Sequence, residues 1–175
     1  MPEKIGEIII TEADIKTKIK EIGNAISKDY HGKEPILICV LKGAVIFATD
    51  LMRAISIPVV LDFLSISTYA ERSEAGAVRI IKDLDVDITK RDVIVVEDII
   101  DTGFTLGYLL RILKARNPAS LKVAVLLDRP SLRIVELPVA YKGFEISDEF
   151  VVGYGLDYNQ RYRNLPYICL LTSTK

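Results

Sequence analysis

The chain has no tryptophan, one histidine, two cysteines and two methionines in 175 residues. Each scarcity removes a class of chemistry. The lone histidine, His31, stands in the polar turn Tyr30-His31-Gly32-Lys33. A Ser-His-Asp or Cys-His device would have to use that residue, and a solvated loop side chain is the better reading. Cys39 and Cys169 each fall inside an apolar run (PILICVL and PYICLLT), as buried reduced thiols do. There is no C-x-x-C and no H-E-x-x-H, so no zinc site is expected. No apolar stretch is long enough to span a bilayer, and the start MPEKIGEIIITEAD lacks the apolar core of a signal peptide. The expectation is a soluble, cytoplasmic protein without a membrane partner. Net charge is −1 with no Lys/Arg block, which argues against nucleic acid as a partner. Both common nucleotide fingerprints, G-x-x-x-x-G-K-[ST] and G-x-G-x-x-G after a strand, are also missing.

What is present is a core. Half of the residues are hydrophobic, and the length suits one domain over 1–175. Ile15, Ile19, Ile22 and Ile26 recur at helical spacing over 11–28, with Thr11 as N-cap and Asp14 at N3. Residues 35–41, 92–96 and 121–127 are near-continuous apolar runs, the pattern of strands buried on both faces. A further strand is expected at 58–64 and an edge or hairpin strand at 78–84, with helices at 43–55 and 105–115. Residues 65–76 are polar and read as a long loop. After Arg129 the segments shorten, with strands expected near 150–152 and 167–171. Strand and helix alternate through the middle, which predicts an α/β fold around a mostly parallel sheet.

One string concentrates the chemistry: V-I-V-V-E-D-I-I-D-T-G-F-T-L, residues 93–106. In open α/β sheets ligands sit beyond the carboxyl ends of the strands, which is where Glu97 and Asp98 fall. Asp101-Thr102-Gly103-Phe104-Thr105 then joins strand to helix. Such a loop offers backbone N–H groups, two hydroxyls, a glycine and a positive helix end, which together cradle a phosphate. Three carboxylates beside a phosphate would repel it, unless they face another part of the same ligand. Glu97 and Asp98 could accept hydrogen bonds from a vicinal diol or share a Mg²⁺ ion. A sugar phosphate has both ends. The plainer alternative makes Asp101 or Thr102 a helix N-cap after two solvated acids.

This string closely resembles the phosphoribosyl-diphosphate (PRPP) motif of type I phosphoribosyltransferases, the hypoxanthine-guanine branch in particular. The likeness extends from about Ile8 to Leu171. It implies that fold, with a small hood from about 129–175 plus the N-terminal segment, and transfer of 5-phosphoribosyl from PRPP to N9 of a 6-oxopurine with Mg²⁺. It implies that Glu97 and Asp98 hold ribose and metal, and that Asp101 is the catalytic carboxylate at purine N7. Residues 101–105 would hold the 5′-phosphate.

Leu41-Lys42-Gly43 resembles the family's pyrophosphate loop, where the Leu-Lys peptide is often cis, and Arg163 would join it. Thr68-Tyr69 resembles the start of a lid. Arg129, where relatives usually carry lysine, would donate to the 6-oxo group. Phe150 would stack on the purine while the Val151 backbone reads its edge, and Asp157 would hold a second Mg²⁺. Without the resemblance the same residues read as a solvated lysine, a surface loop, an arginine before a turn, a core aromatic and a turn-forming aspartate. A PRPP-sensing regulator on this fold, or an enzyme for another base such as xanthine, remain the alternatives. A homodimer or homotetramer is expected from the relatives.

Overall fold

The computed structural model describes residues 3–68 and 78–173. In chain order these form β1 (Glu3–Ile10), α1 (Glu12–Asp29), β2 (Ile36–Leu41), α2 (Val45–Ala54), β3 (Val60–Thr68) and β4 (Val78–Lys82). There follow β5 (Asp92–Ile100), α3 (Phe104–Lys114), β6 (Ser120–Asp128), a 3₁₀ turn (Pro130–Leu132), β7 (Val139–Glu145), β8 (Val151–Val152) and β9 (Ile168–Ser173).

The main sheet has six strands in the order β4-β3-β2-β5-β6-β7. All pairings are parallel except β3 with β4. Alternation along the strands sorts the core into two faces. Leu37, Cys39, Ile94 and Val96 pack with Ile15, Ile19 and Ile26 of α1 and with Phe47 and Leu51 of α2. Ile36, Ile38, Val93, Val95, Val123 and Val125 pack with Leu106, Leu109 and Leu113 of α3. A strand covered on both faces is apolar at successive positions, which is why β2 and the middles of β5 (Val93–Val96) and β6 (Val123–Leu127) are continuous hydrophobic runs. Phe47 is fully buried at the centre of the first face; truncating it to alanine would cost about 3–5 kcal/mol.

Thr11 is the N-cap of α1 as expected, and Asp14 at N3 completes a capping box. The Asp14 N–H donates to Thr11 Oγ1 at 3.2 Å, and the Thr11 N–H donates to Asp14 Oδ2 at 3.3 Å. Two other expectations change. Residues 65–68, read as loop, continue β3 and pair with β4. The hood does not begin at 129, because Val139–Glu145 runs parallel to β6 inside the main sheet. The smaller sheet is instead β1-β9-β8, all antiparallel. No described helix is long and apolar enough to cross a membrane.

Candidate active site

β5 does not stop at Val96. Its pairing with β6 continues through Glu97↔Val125 and Ile99↔Leu127 to Ile100↔Asp128. The acidic pair therefore rides on the end of a central strand and is placed by the sheet. Both side chains are partly buried. Burial, then the charge and hydrogen bond of Asp98, push the Glu97 carboxyl well above the usual carboxylate range. Asp98 is also raised by burial, against the opposing pull of hydrogen bonds and of Arg163. The same acids, added to burial, push the Cys39 thiol up to about 12, so Cys39 is an inert core residue. Two desolvated carboxylates without a third protein ligand suit a hard cation that completes its shell with substrate oxygens and water, which is how Mg²⁺ binds. Among the described residues no group of three His, Cys, Asp or Glu could hold a metal by itself.

The loop expected to cradle a phosphate follows directly. Gly103 is the N-cap of α3 at φ 85°, a left-handed conformation that glycine adopts freely, and the helix has no side-chain cap. A long contact, Phe104 N–H to Thr102 Oγ1 at 3.4 Å, is made at this end. An uncapped helix start offers N–H groups and a positive dipole to an anion. The loop is held from behind. The Ile134 and Val135 N–H groups both donate to the Thr102 carbonyl at 3.0 Å. Arg133 donates from Nε to the Asp101 carbonyl at 3.0 Å and from Nη2 to the Ile100 carbonyl at 3.3 Å, and it pairs with the buried Asp128 carboxylate.

The predicted base and the predicted purine donor are brought into contact. Arg129 Nη1 donates to Asp101 Oδ1 at 3.1 Å, and Nη2 donates to the Glu149 carbonyl at 2.6 Å. Arg129 is 8% exposed. Among the described residues its buried Nε meets no hydrogen-bond partner. The fork thus joins the phosphate loop to the start of β8, a geometry a lysine could not reproduce. Phe150 follows at once, 52% exposed. Its ring meets Tyr158 edge-on with centroids 5.7 Å apart. An exposed, braced aromatic beside two polar groups is a shelf for a flat heterocycle. Val151 is buried in the small sheet.

Across the site, the Leu41–Lys42 peptide is cis. Lys42 is exposed. Gly43 leaves room for the Asp98 carboxylate: a Cβ there would lie 1.6 Å from Asp98 Oδ2 and push that side chain aside. A Cβ on Gly155 would lie 2.1 Å from the Gly43 carbonyl oxygen, so a hood turn rests directly on this loop. That turn leads to Asp157, which pairs with Arg163 at 2.7 Å and accepts from the Gln160 N–H at 2.8 Å. Arg163 also donates to the Gly155 carbonyl at 2.6 Å. Asp157 is therefore engaged by Arg163, whose charge also reaches Asp98.

The expected lid lies at and beyond the edge of the described residues. Thr68 ends β3 and its side chain lies outside the described residues, as does all of Tyr69. Sequence reading missed Arg133, Asp128 and Gly43's contact with Asp98. An arginine five positions after an aspartate, across a 3₁₀ turn, matches no helical or strand period.

The phosphoribosyl transferase domain family matches residues 7–159. Over 174 residues the chain is 48% identical to the hypoxanthine-guanine phosphoribosyltransferase of Mycobacterium avium, covering 95% of this chain and 86% of that one. It is 45% identical over 172 residues to the enzyme of that name from Streptococcus thermophilus strain CNRZ 1066, covering 98% and 96%. A crystal structure of a hypoxanthine-guanine phosphoribosyltransferase from Bacillus anthracis superposes with a TM-score of 0.93 at 44% identity, covering 98% of this chain and all of the other.

Proposed function

The chain belongs to the phosphoribosyltransferase family, and from that premise we infer that it is a purine-salvage enzyme: it transfers the 5-phosphoribosyl group of PRPP to N9 of hypoxanthine or guanine and releases pyrophosphate. The observation that carries this reading is the acidic pair at the carboxyl end of β5, continuous with an uncapped helix start. One extended ligand, with a diol at one end and a phosphate at the other, satisfies both.

We propose the following roles, which the geometry supports. The amides of Gly103, Phe104 and Thr105 and the Thr102 hydroxyl receive the 5′-phosphate, with Asp101 opening the loop. Glu97 and Asp98 accept from the ribose hydroxyls. Leu41, Lys42 and Gly43 present main-chain and ammonium donors to the diphosphate. Arg163 leaves Asp157 to join them, placing a donor where negative charge grows. Phe150 supports the purine ring, Arg129 donates to its 6-oxo group and the Val151 main chain lies at its edge. Asp101, displaced from Arg129 by the base, takes the N7 proton as N9 bonds to C1′. Mg²⁺ at Glu97 and Asp98, with a second ion at Asp157, would supply Lewis-acid stabilisation of the leaving diphosphate. Thr68 and Tyr69 would close over the site and exclude water. We place this chemistry in one domain, in the cytoplasm and in a homodimer or homotetramer.

The test is formation of IMP or GMP and pyrophosphate from PRPP, Mg²⁺ and a panel of bases. Turnover with hypoxanthine or guanine is expected. A chain that used only xanthine, adenine or a pyrimidine, or that bound PRPP without turnover, would overturn the reading.

A further inference from the structure

Tyr154 occupies a backbone position that aromatic residues avoid. Gly153, Tyr154 and Gly155 have φ of 104°, 49° and 100°, three left-handed residues in succession. Glycine adopts such angles freely, whereas a bulky side chain needs surrounding contacts to hold it there. Tyr154 is 6% exposed, and its phenol donates to Asp50 Oδ2 at 2.5 Å. Burial, then the Asp50 carboxylate, raise the phenol pKa, so it remains a donor.

Both ends of this hydrogen bond belong to parts that the diphosphate must find in register. Asp50 lies on α2, which begins just after Leu41-Lys42-Gly43. Tyr154 precedes Gly155, whose backbone rests on the Gly43 carbonyl. Its own N–H donates to the Leu165 carbonyl at 2.8 Å, and the Gly155 N–H donates to the Arg163 carbonyl at 3.0 Å. One phenol thus ties α2 to the segment that carries Asp157 and Arg163. The phosphate cradle is held separately, by residues 133–135.

We propose that the Tyr154–Asp50 hydrogen bond sets the spacing between the pyrophosphate loop and the Asp157–Arg163 arm, which makes Tyr154 and Asp50 positioning residues for the diphosphate of PRPP. This rests on the reading of function above. Losing a hydrogen bond to a charged acceptor on that route should raise KM for PRPP, and for pyrophosphate in the reverse direction, on the order of tenfold.

The experiment compares wild type, Y154F, D50A, D50N and Y154F/D50A in both directions, with IMP affinity measured by calorimetry. Y154F and D50A should each weaken PRPP and pyrophosphate while hypoxanthine KM and IMP Kd stay within about twofold. D50N, whose amide oxygen still accepts from the phenol, should recover most of the loss. The double variant should be no worse than either single one. An active wild type with PRPP and IMP weakened alike, or with Y154F unaltered, overturns the inference. An inactive wild type overturns the functional reading and removes this inference with it. If Y154F does not fold, D50A on the half-buried face of α2 carries the same comparison. Failure of both to fold would make the contact a stability device and overturn the positioning role.

Discussion

Replacing Arg133 with methionine separates the support of the phosphate loop from its chemistry, because Arg133 belongs to the loop's backing and meets no proposed ligand atom. The side chain holds the Ile100 and Asp101 carbonyls and the Asp128 carboxylate. Its ion pair is largely removed from water, with side-chain exposures of 18% and 10%. Breaking such a pair from one side costs roughly 3–5 kcal/mol, since the other charge is stranded. Lys142 Nζ stays 3.7 Å from Asp128 Oδ2 and is 41% exposed, a partial substitute. The expected loss is therefore the low end, about 3 kcal/mol. At about 2–4 °C per kcal/mol for a domain of this size, Tm should fall by about 6–12 °C. Displacing the Asp101 backbone by an ångström is enough to lower kcat on the order of 10²-fold.

The double variant R133M/D128N tests whether these two effects are distinct. Asparagine removes the stranded charge, so most of the stability should return. The carbonyls of Ile100 and Asp101 still lack their donor, so activity should not. Thermal melts and steady-state kinetics on the three proteins suffice. Activity returning in step with Tm would refute the claim that Arg133 positions the loop. Full activity in R133M alone would do the same.

The other predictions concern residues proposed to face the ligand. D101A should lower kcat by roughly 10²–10⁴-fold while KM for PRPP changes little; single-turnover kinetics at saturating PRPP decide this, and near-normal turnover would remove Asp101 as the base. E97Q should destroy PRPP use yet stabilise the metal-free protein in a pH-dependent way. A carboxyl raised by folding keeps its proton more tightly in the folded state. Stability is then whole below the unfolded value of about 4.3 and falls as pH rises toward the folded one. The Tm gain of E97Q over wild type in EDTA should be near zero at acid pH and grow toward pH 8; a constant gain would contradict the assigned burial and repulsion. R129K, still a donor to a 6-oxo group, should keep hypoxanthine kcat/KM within about tenfold, whereas R129M, which removes that donor, should lose about 10²-fold or more. Equal losses would show that the charge at this position does not address the base.

How far the sequence disclosed this arrangement depends on how each element is buried. β2, β5 and β6 are covered on both faces, so their apolar runs were unmistakable, and α1 announced itself through four isoleucines and a capping box. β1 and β7 gave weak signals for a physical reason. Most described β1 side chains are exposed, and β7 is an edge strand with a mixed burial pattern. Gly143, which reads as a strand breaker, is required inside β7: a Cβ there would lie 2.3 Å from the Leu126 carbonyl oxygen. At the site, the string at 93–106 could be read because strand, acids and helix start are contiguous. The contacts that hold it are not contiguous. Gly43 meets Asp98, Gly155 meets Gly43, and Arg133 reaches back to Ile100. No local period encodes an approach between residues so far apart in the chain. The residues proposed to touch substrate are therefore legible as a motif, while those that fix their spacing become visible only once the chain is folded. Substitutions in the second group should spare the motif and still disable the enzyme, as R133M and Y154F are designed to reveal.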